Sequence, residues 1–116
     1  MQQESEFVKG RVYRLEDVSP HSPHASTAKN ILNKKTGVLS FLSMDTDQLI
    51  DTPFSPFDIY IHVIAGRMEV TSKGISLFLN AGEFVILPGH TRSISRALLP
   101  SQLLQLTIKS GEEDMI

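Results

Sequence analysis

From residue 29 onward, short runs of apolar and β-branched residues alternate with turn-forming residues. The runs cover residues 29–32, 38–44, 57–64, 68–71, 75–79, 84–87, 92–95 and 103–108, and glycine, proline or asparagine marks the breaks at 35–37, 65–66, 72–74, 80–82, 88–89 and 100–101. Many short strands with regular punctuation predict an all-β sandwich or barrel. In the run 57–64, Phe57, Ile59, Ile61 and Val63 share one face, and Asp58, Tyr60, His62 and Ile64 share the other. Both faces carry apolar side chains, which predicts cover on both sides: the barrel interior on one, a second sheet or a partner subunit on the other. Residues 72–74 suit a three-residue hairpin with Gly74 in the left-handed conformation. The apolar stretch 97–104 is broken by Pro100, so no long amphipathic helix is expected.

The strands are preceded by a segment of different character. Residues 1–9 read as a loose terminus, 11–15 as a short edge strand, and 17–27, rich in Ser, Pro and His, as a loop. The predicted organisation is an N-terminal arm over 1–28, a barrel over 29–109 and an acidic tail over 110–116.

Composition narrows the function classes. A chain of 116 residues fits one domain and can bury about 65% of its unfolded surface. With 41% hydrophobic and 21% charged residues it reads as an ordinary globular chain. A net charge of -2 provides no basic excess to neutralise a phosphate backbone, so no nucleic-acid partner is expected. The chain has no cysteine, which rules out disulfides, thiolate catalysis and cysteine-bound zinc. No run approaches the ~20 apolar residues of a membrane helix, and the polar, acidic start lacks the apolar core of a signal peptide. The expectation is a soluble, cytoplasmic protein with no membrane partner.

Two motifs carry a resemblance. Leu79-Asn80-Ala81-Gly82-Glu83-Phe84-Val85-Ile86-Leu87-Pro88 resembles the second conserved motif of cupins, with Gly82 and Pro88 at its Gly and Pro positions. Pro56-Phe57-Asp58 followed by Ile59-Tyr60-Ile61-His62-Val63-Ile64-Ala65-Gly66 resembles the end of the first, with Gly66 as its closing glycine. One hairpin separates the two, as in small cupins, and the similarity runs from about Lys29 to Lys109. The resemblance implies a double-stranded β-helix, a jelly-roll-like cupin barrel. It also implies a divalent metal held by three His and one Glu, and places those ligands at Pro53, Ser55, Ile59 and Ser93. Proline and isoleucine have no donor atom, and a serine hydroxyl is a poor ligand for a transition metal. The metal site is therefore read as degenerate, with no metal and no cofactor expected.

Four histidines remain. His90 follows Pro88-Gly89 and reads as a solvated loop residue, its sharper alternative being a replacement ligand or a base at the mouth of the barrel. His21 and His24, in Ser-Pro-His-Ser-Pro-His, read as part of a Pro-rich loop, and with His90 they are the fallback metal donors. His62 reads as an interface or sheet-packing residue. Asp45, Asp47 and Asp51 lie in a turn-like stretch without the glycine and glutamate of a calcium loop.

With Ile59 and Ile61 inward, the interior is apolar with a few hydroxyls, and Ser55, Ile59, Ile61, His90, Ser93 and Ser95 are the candidate pocket residues. An apolar concavity with a few polar groups suits a small organic ligand. The leading reading is a non-catalytic cupin-type domain, a small-molecule binding or structural module that forms a homodimer through its second apolar face. The alternatives are a metal-dependent cupin enzyme of isomerase or dioxygenase type with a rearranged His site, and a ligand-sensing partner of a regulatory protein.

Overall fold

The computed structural model describes residues 7–18 and 23–109. One helical turn, α1 (Leu15–Val18), precedes nine strands: β1 (Ser26–Lys34), β2 (Gly37–Met44), β3 (Leu49–Ser55), β4 (Asp58–Ala65), β5 (Arg67–Ser72), β6 (Ile75–Asn80), β7 (Phe84–Leu87), β8 (Thr91–Ala97) and β9 (Ser101–Ile108). They form two sheets, ordered β1-β2-β9-β4-β7 and β3-β8-β5-β6, and every pairing is antiparallel. The described structure is thus an all-β, jelly-roll-like barrel.

The two sheets meet along a core that follows the pleat. Ile59, Ile61 and Val63 of β4, Leu42 and Met44 of β2 and Leu103 of β9 face Met68 and Val70 of β5, Leu79 of β6 and Ala97 of β8. Each of these is almost fully buried. Residues directly opposite one another in an antiparallel pair share a face, so the register carries each inward row across its sheet. The five-stranded sheet contributes the rows Leu42–Leu103–Val63, Ser40–Gln105–Ile61–Val85 and Val38–Thr107–Ile59–Leu87. The four-stranded sheet contributes Met68–Ala97, Ile50–Ser95–Val70–Leu77 and Thr52–Ser93–Ser72–Ile75.

The outer faces of the two sheets differ. Outside the four-stranded sheet, Arg92 bonds Asp51 through both ends of its fork, Nε to Oδ1 at 3.0 Å and Nη2 to Oδ2 at 2.7 Å. On the same face Arg96 lies 3.4 Å from Glu69 and 3.9 Å from Asp47. This is a solvated, charged surface. Outside the five-stranded sheet the rows read Phe41–Leu104–His62–Phe84 and Leu39–Leu106–Tyr60–Ile86 from β2 to β7, and Lys29 of β1 continues the first. At one end of this face Phe41 is fully buried and Val18 nearly so, yet neither belongs to the main core. There the N-terminal segment lies against β1, with Phe7, Tyr13, Leu15 and Val18 around Ile31 and Leu32.

Four expectations change. Residues 11–14 form no strand and Leu15–Val18 make one helical turn, the segment setting Tyr13, Leu15 and Val18 around Ile31 and Leu32 of β1 instead of pairing with its edge. β1 begins at Ser26, inside the segment read as loop, since pairing with Met44 and Ser43 satisfies its backbone whatever its propensity. The stretch from Leu49, read as turn-like, is strand β3. It tolerates Pro53 because β3 is an edge strand with a bulge between Thr52 and Ser55. The hairpin at 72–74 is tighter than predicted. Ser72 pairs with Ile75, leaving a two-residue loop in which Lys73 (φ 53°) and Gly74 (φ 74°) are both left-handed, as a type I′ turn requires.

Candidate ligand site at the barrel mouth

The inward rows change character along the barrel. At the end where β4 and β5 join, the interior is Met44, Val63, Met68, Ala97 and Leu103. Toward the end where β7 turns into β8, polar side chains enter from both sheets: Thr52, Ser72, Ser93 and Ser95 from one, Ser40, Gln105 and Thr107 from the other. Ser93 and Ser95 are almost fully buried, at 3% and 4% exposure. Their hydroxyls bond no other described residue, and no buried side-chain nitrogen or oxygen of the described residues is left unpaired. The two hydroxyls are therefore not wholly sealed off by the atoms around them. Ser40 differs, donating to Asn30 Oδ1 at 2.8 Å. No carboxylate or cation belongs to these inward rows, so the site offers uncharged donors and acceptors over an apolar floor of Ile59, Ile61 and Leu87.

The residues read from sequence as a pocket divide into three groups. Ile59, Ile61, Ser93 and Ser95 face the interior. Ser55 is half-buried at the end of β3, and its Oγ accepts the Phe57 N–H at 3.2 Å, which commits it to the turn into β4. His90 stands on the rim. Its backbone is left-handed (φ 65°) and its N–H donates to the Ser55 carbonyl, while the exposed ring packs 5.7 Å from Phe54. Neighbouring bonds hold this loop: Gly89 N–H to Asp58 Oδ1 at 2.8 Å, and Thr91 Oγ1 to the Pro88 carbonyl at 2.7 Å. Thr52, Ser72, Gln105 and Thr107 were not read as site residues. The signal lay in the pairing of β9 with β4, which puts Gln105 opposite the buried Ile61.

The positions at which the resemblance places a metal do not fit one. Pro53 is exposed at the bulge of β3, Ile59 is buried among apolar side chains, and Ser55 and Ser93 bring only hydroxyls. The fallback histidines do not converge either. His24 N–H bonds Asp45 beyond the end of β2, whereas His90 sits at the opposite end of the barrel, roughly 20 Å away by strand length. His21 lies outside the described residues. No group of three His, Asp or Glu among the described residues is placed to hold an ion. Glu83, beside the motif glycine, accepts the Asn80 N–H at 2.7 Å and serves the turn between β6 and β7.

No family model matches this sequence, and no curated protein matches it. The fold has many solved counterparts. A conserved protein of unknown function from Streptococcus pyogenes superposes with a TM-score of 0.84 at 17% identity, covering 95% of this chain and 96% of that one. A cupin 2 conserved barrel domain protein from Leptotrichia buccalis gives 0.86 at 14% identity, over 92% of this chain and 51% of its own. An RmlC-like cupin from Shewanella frigidimarina gives 0.73 at 16% identity, with 97% of each chain covered. The fold is that of a small cupin-type barrel. Among the described residues no helix is long and apolar enough to cross a membrane.

Proposed function

We propose that this protein is a metal-free cupin-type module that holds a small, uncharged organic molecule in the mouth of the barrel and does not catalyse a reaction on it. The observation that carries the reading is the set of uncharged polar side chains in the inward rows toward that end of the barrel, Thr52, Ser72, Ser93 and Ser95 from one sheet and Gln105 and Thr107 from the other. Buried polar groups of this kind favour a partner that returns their hydrogen bonds, and a charged ligand would find no counter-ion in the inward rows. Hydroxyl- or amide-bearing neutral molecules are the class that fits. The reading extends to a cytoplasmic location, since a chain without cysteines needs no oxidising compartment.

Two measurements test it. Inductively coupled plasma mass spectrometry on tag-free protein, with a chelator-treated control, is expected to find far less than one ion per chain; a tightly held stoichiometric transition metal would overturn the metal-free reading. Thermal shift with myo-inositol and xylitol, against glucuronate as the charged comparison, is expected to show stabilisation by a neutral polyol that Gln105→Leu removes. Equal stabilisation of the wild type and this variant would place the ligand elsewhere.

We further propose a homodimer formed through the outer face of β9, β4 and β7. The support is the distribution of apolar surface: Phe84 is 57% and Ile86 53% exposed, next to Tyr60, His62, Leu104 and Leu106, on a sheet whose opposite face is already the core. A patch of this kind is the mark of an interaction site.

A further inference from the structure

The arm that precedes β1 closes over a cavity of about 310 Å³. Leu32 on its floor lies opposite Leu39, whose row faces outward, so the cavity is outside the five-stranded sheet and away from the barrel interior. Residues 8–13 make a small loop. The Tyr13 hydroxyl closes it by accepting the Val8 N–H at 3.0 Å, and the Phe7 ring meets the Tyr13 ring edge-on at 4.9 Å. Gly10 makes the reversal at φ 83°. The nearly buried Val18, at the end of α1, anchors the other end of the arm. In a regular strand Ile31 and Leu32 would point to opposite faces. The register of β1 shifts between Asn30 and Leu32, and both residues line the cavity, since a bulge re-aims a side chain. Leu15 and Leu32 are still 37% and 45% exposed, so the arm does not cover all the apolar surface it gathers.

The charged part of the wall is positive. Between Phe7 and Leu15 the chain carries Lys9, Arg11 and Arg14 and no carboxylate, in a protein whose net charge is -2. Arg14 lies 3.3 Å from Glu16. Lys9 and Arg11 line the cavity, and among the described residues they form no ion pair. No described carboxylate lines the cavity beside them. The barrel mouth is different, since its inward rows hold no charge at all. An apolar chamber of this size with a few polar groups suits a small organic ligand, and two uncompensated cations at its edge favour a negative one.

We propose that this cavity is a second binding site, for a small amphiphilic carboxylate. Its aliphatic chain lies over Ile31 and Leu32, and its carboxylate meets Lys9 and Arg11. The site is separate from the barrel mouth and does not depend on the reading given for it. Removing the chain from water supplies most of the affinity, up to about fourfold for each methylene covered. The cations fix which end stays at the rim. A guanidinium can take both carboxylate oxygens through parallel N–H bonds, so Arg11 contributes more than Lys9. Both cations are exposed, so their share is modest and falls with added salt, whereas the share of the chain does not.

Isothermal titration calorimetry on the full chain at pH 7.5, with octanoate, butanoate and 1-octanol as probes, tests the site. Octanoate is expected to bind saturably, and butanoate at least about tenfold more weakly for want of four methylenes. 1-Octanol, which has the chain without the charge, should bind about fivefold more weakly. The double variant Lys9→Gln, Arg11→Gln should bring octanoate down to the level of 1-octanol. Leu32→Gln should weaken octanoate and 1-octanol alike. All three side chains are exposed, and circular dichroism melts establish that each variant folds. Amide NMR should place the octanoate shifts at Val8, Gly10 and Leu32. The proposal is overturned by the absence of saturable octanoate binding, by equal affinity for octanoate and 1-octanol, or by an unchanged octanoate affinity in the double variant. Shifts confined to Ser93, Ser95 and Gln105 would overturn it by moving the ligand to the barrel mouth. Binding to phosphatidylglycerol vesicles without binding of free octanoate would overturn it in favour of a membrane surface.

Discussion

A methyl group added at Gly66 would meet Ser101 Oγ at 2.2 Å, the Pro100 carbonyl at 2.4 Å and Ser101 Cα at 2.7 Å, and the backbone there is left-handed at φ 90°. The crowding has a purpose. Ser101 Oγ accepts the Arg67 N–H at 3.1 Å and lies 2.7 Å from the Leu99 carbonyl, so the β4–β5 turn and the entry to β9 are fastened at one hydroxyl. Gly74 shares the positive φ, but an added carbon there meets nothing within 4 Å. Gly74→Ala should therefore cost only the conformational term, about 1 kcal/mol. Gly66→Ala adds a backbone clash and should cost at least ~3 kcal/mol, a drop in Tm of more than about 10 °C by differential scanning calorimetry. Equal costs would mean that the turn does not press on Ser101. On the opposite surface, hydrogen bonds from Arg92 hold the Asp51 carboxyl below its usual range, reinforced by the guanidinium charge. The folded value is depressed, so this pair favours the fold above the ordinary carboxylate range and stops doing so as the pH falls. In Arg92→Ala, carboxyl NMR should find Asp51 titrating at higher pH than in wild type.

β9 shows why part of the structure was legible in the sequence and part was not. The strand itself follows from the run 103–108, but its alternation misleads about its faces. Leu104, Leu106 and Ile108 form the more apolar set, and an isolated strand with one dry face would turn them inward. The structure turns Leu103, Gln105 and Thr107 inward instead, because β9 lies between β2 and β4 and takes its register from both. β4 is legible on one side: the alternation of Ile59, Ile61 and Val63 predicted the face that the structure buries in the core. The glycine and proline positions of the two motifs were enough to indicate the barrel. Thr52 and Ser72 could not be read as site residues, since only the strand pairing brings them level with Ser93. The Lys73-Gly74 loop carries a prediction of its own. Asn-Gly is the preferred pair for a type I′ turn, so Lys73→Asn should raise stability by roughly 0.5 kcal/mol, seen as a higher urea midpoint at unchanged slope.

At the scale of the molecule, the two sheets divide the work. The four-stranded sheet faces water with its ion pairs, the five-stranded sheet keeps an apolar exterior, and the polar mouth opens between them. Because the pairs on the first are exposed, they add little to stability, whereas an interface on the second should respond little to moderate salt. Raising sodium chloride from 0.1 to 0.5 M at pH 8.0 is therefore expected to leave the dimer constant within about threefold, and a large salt effect would point to charged contacts in the interface. The position of β9 has a further consequence for how the protein is made. It is the last strand along the described chain, yet it sits third in a sheet of five, joining β1-β2 to β4-β7. Until residues 101–108 have left the ribosome, β2 and β4 lack the strand that pairs with both of them. The closing step of the barrel is thus the arrival of its last strand, and a ribosome stalled before Ser101 would hold out two open strand edges for any neighbouring chain to join.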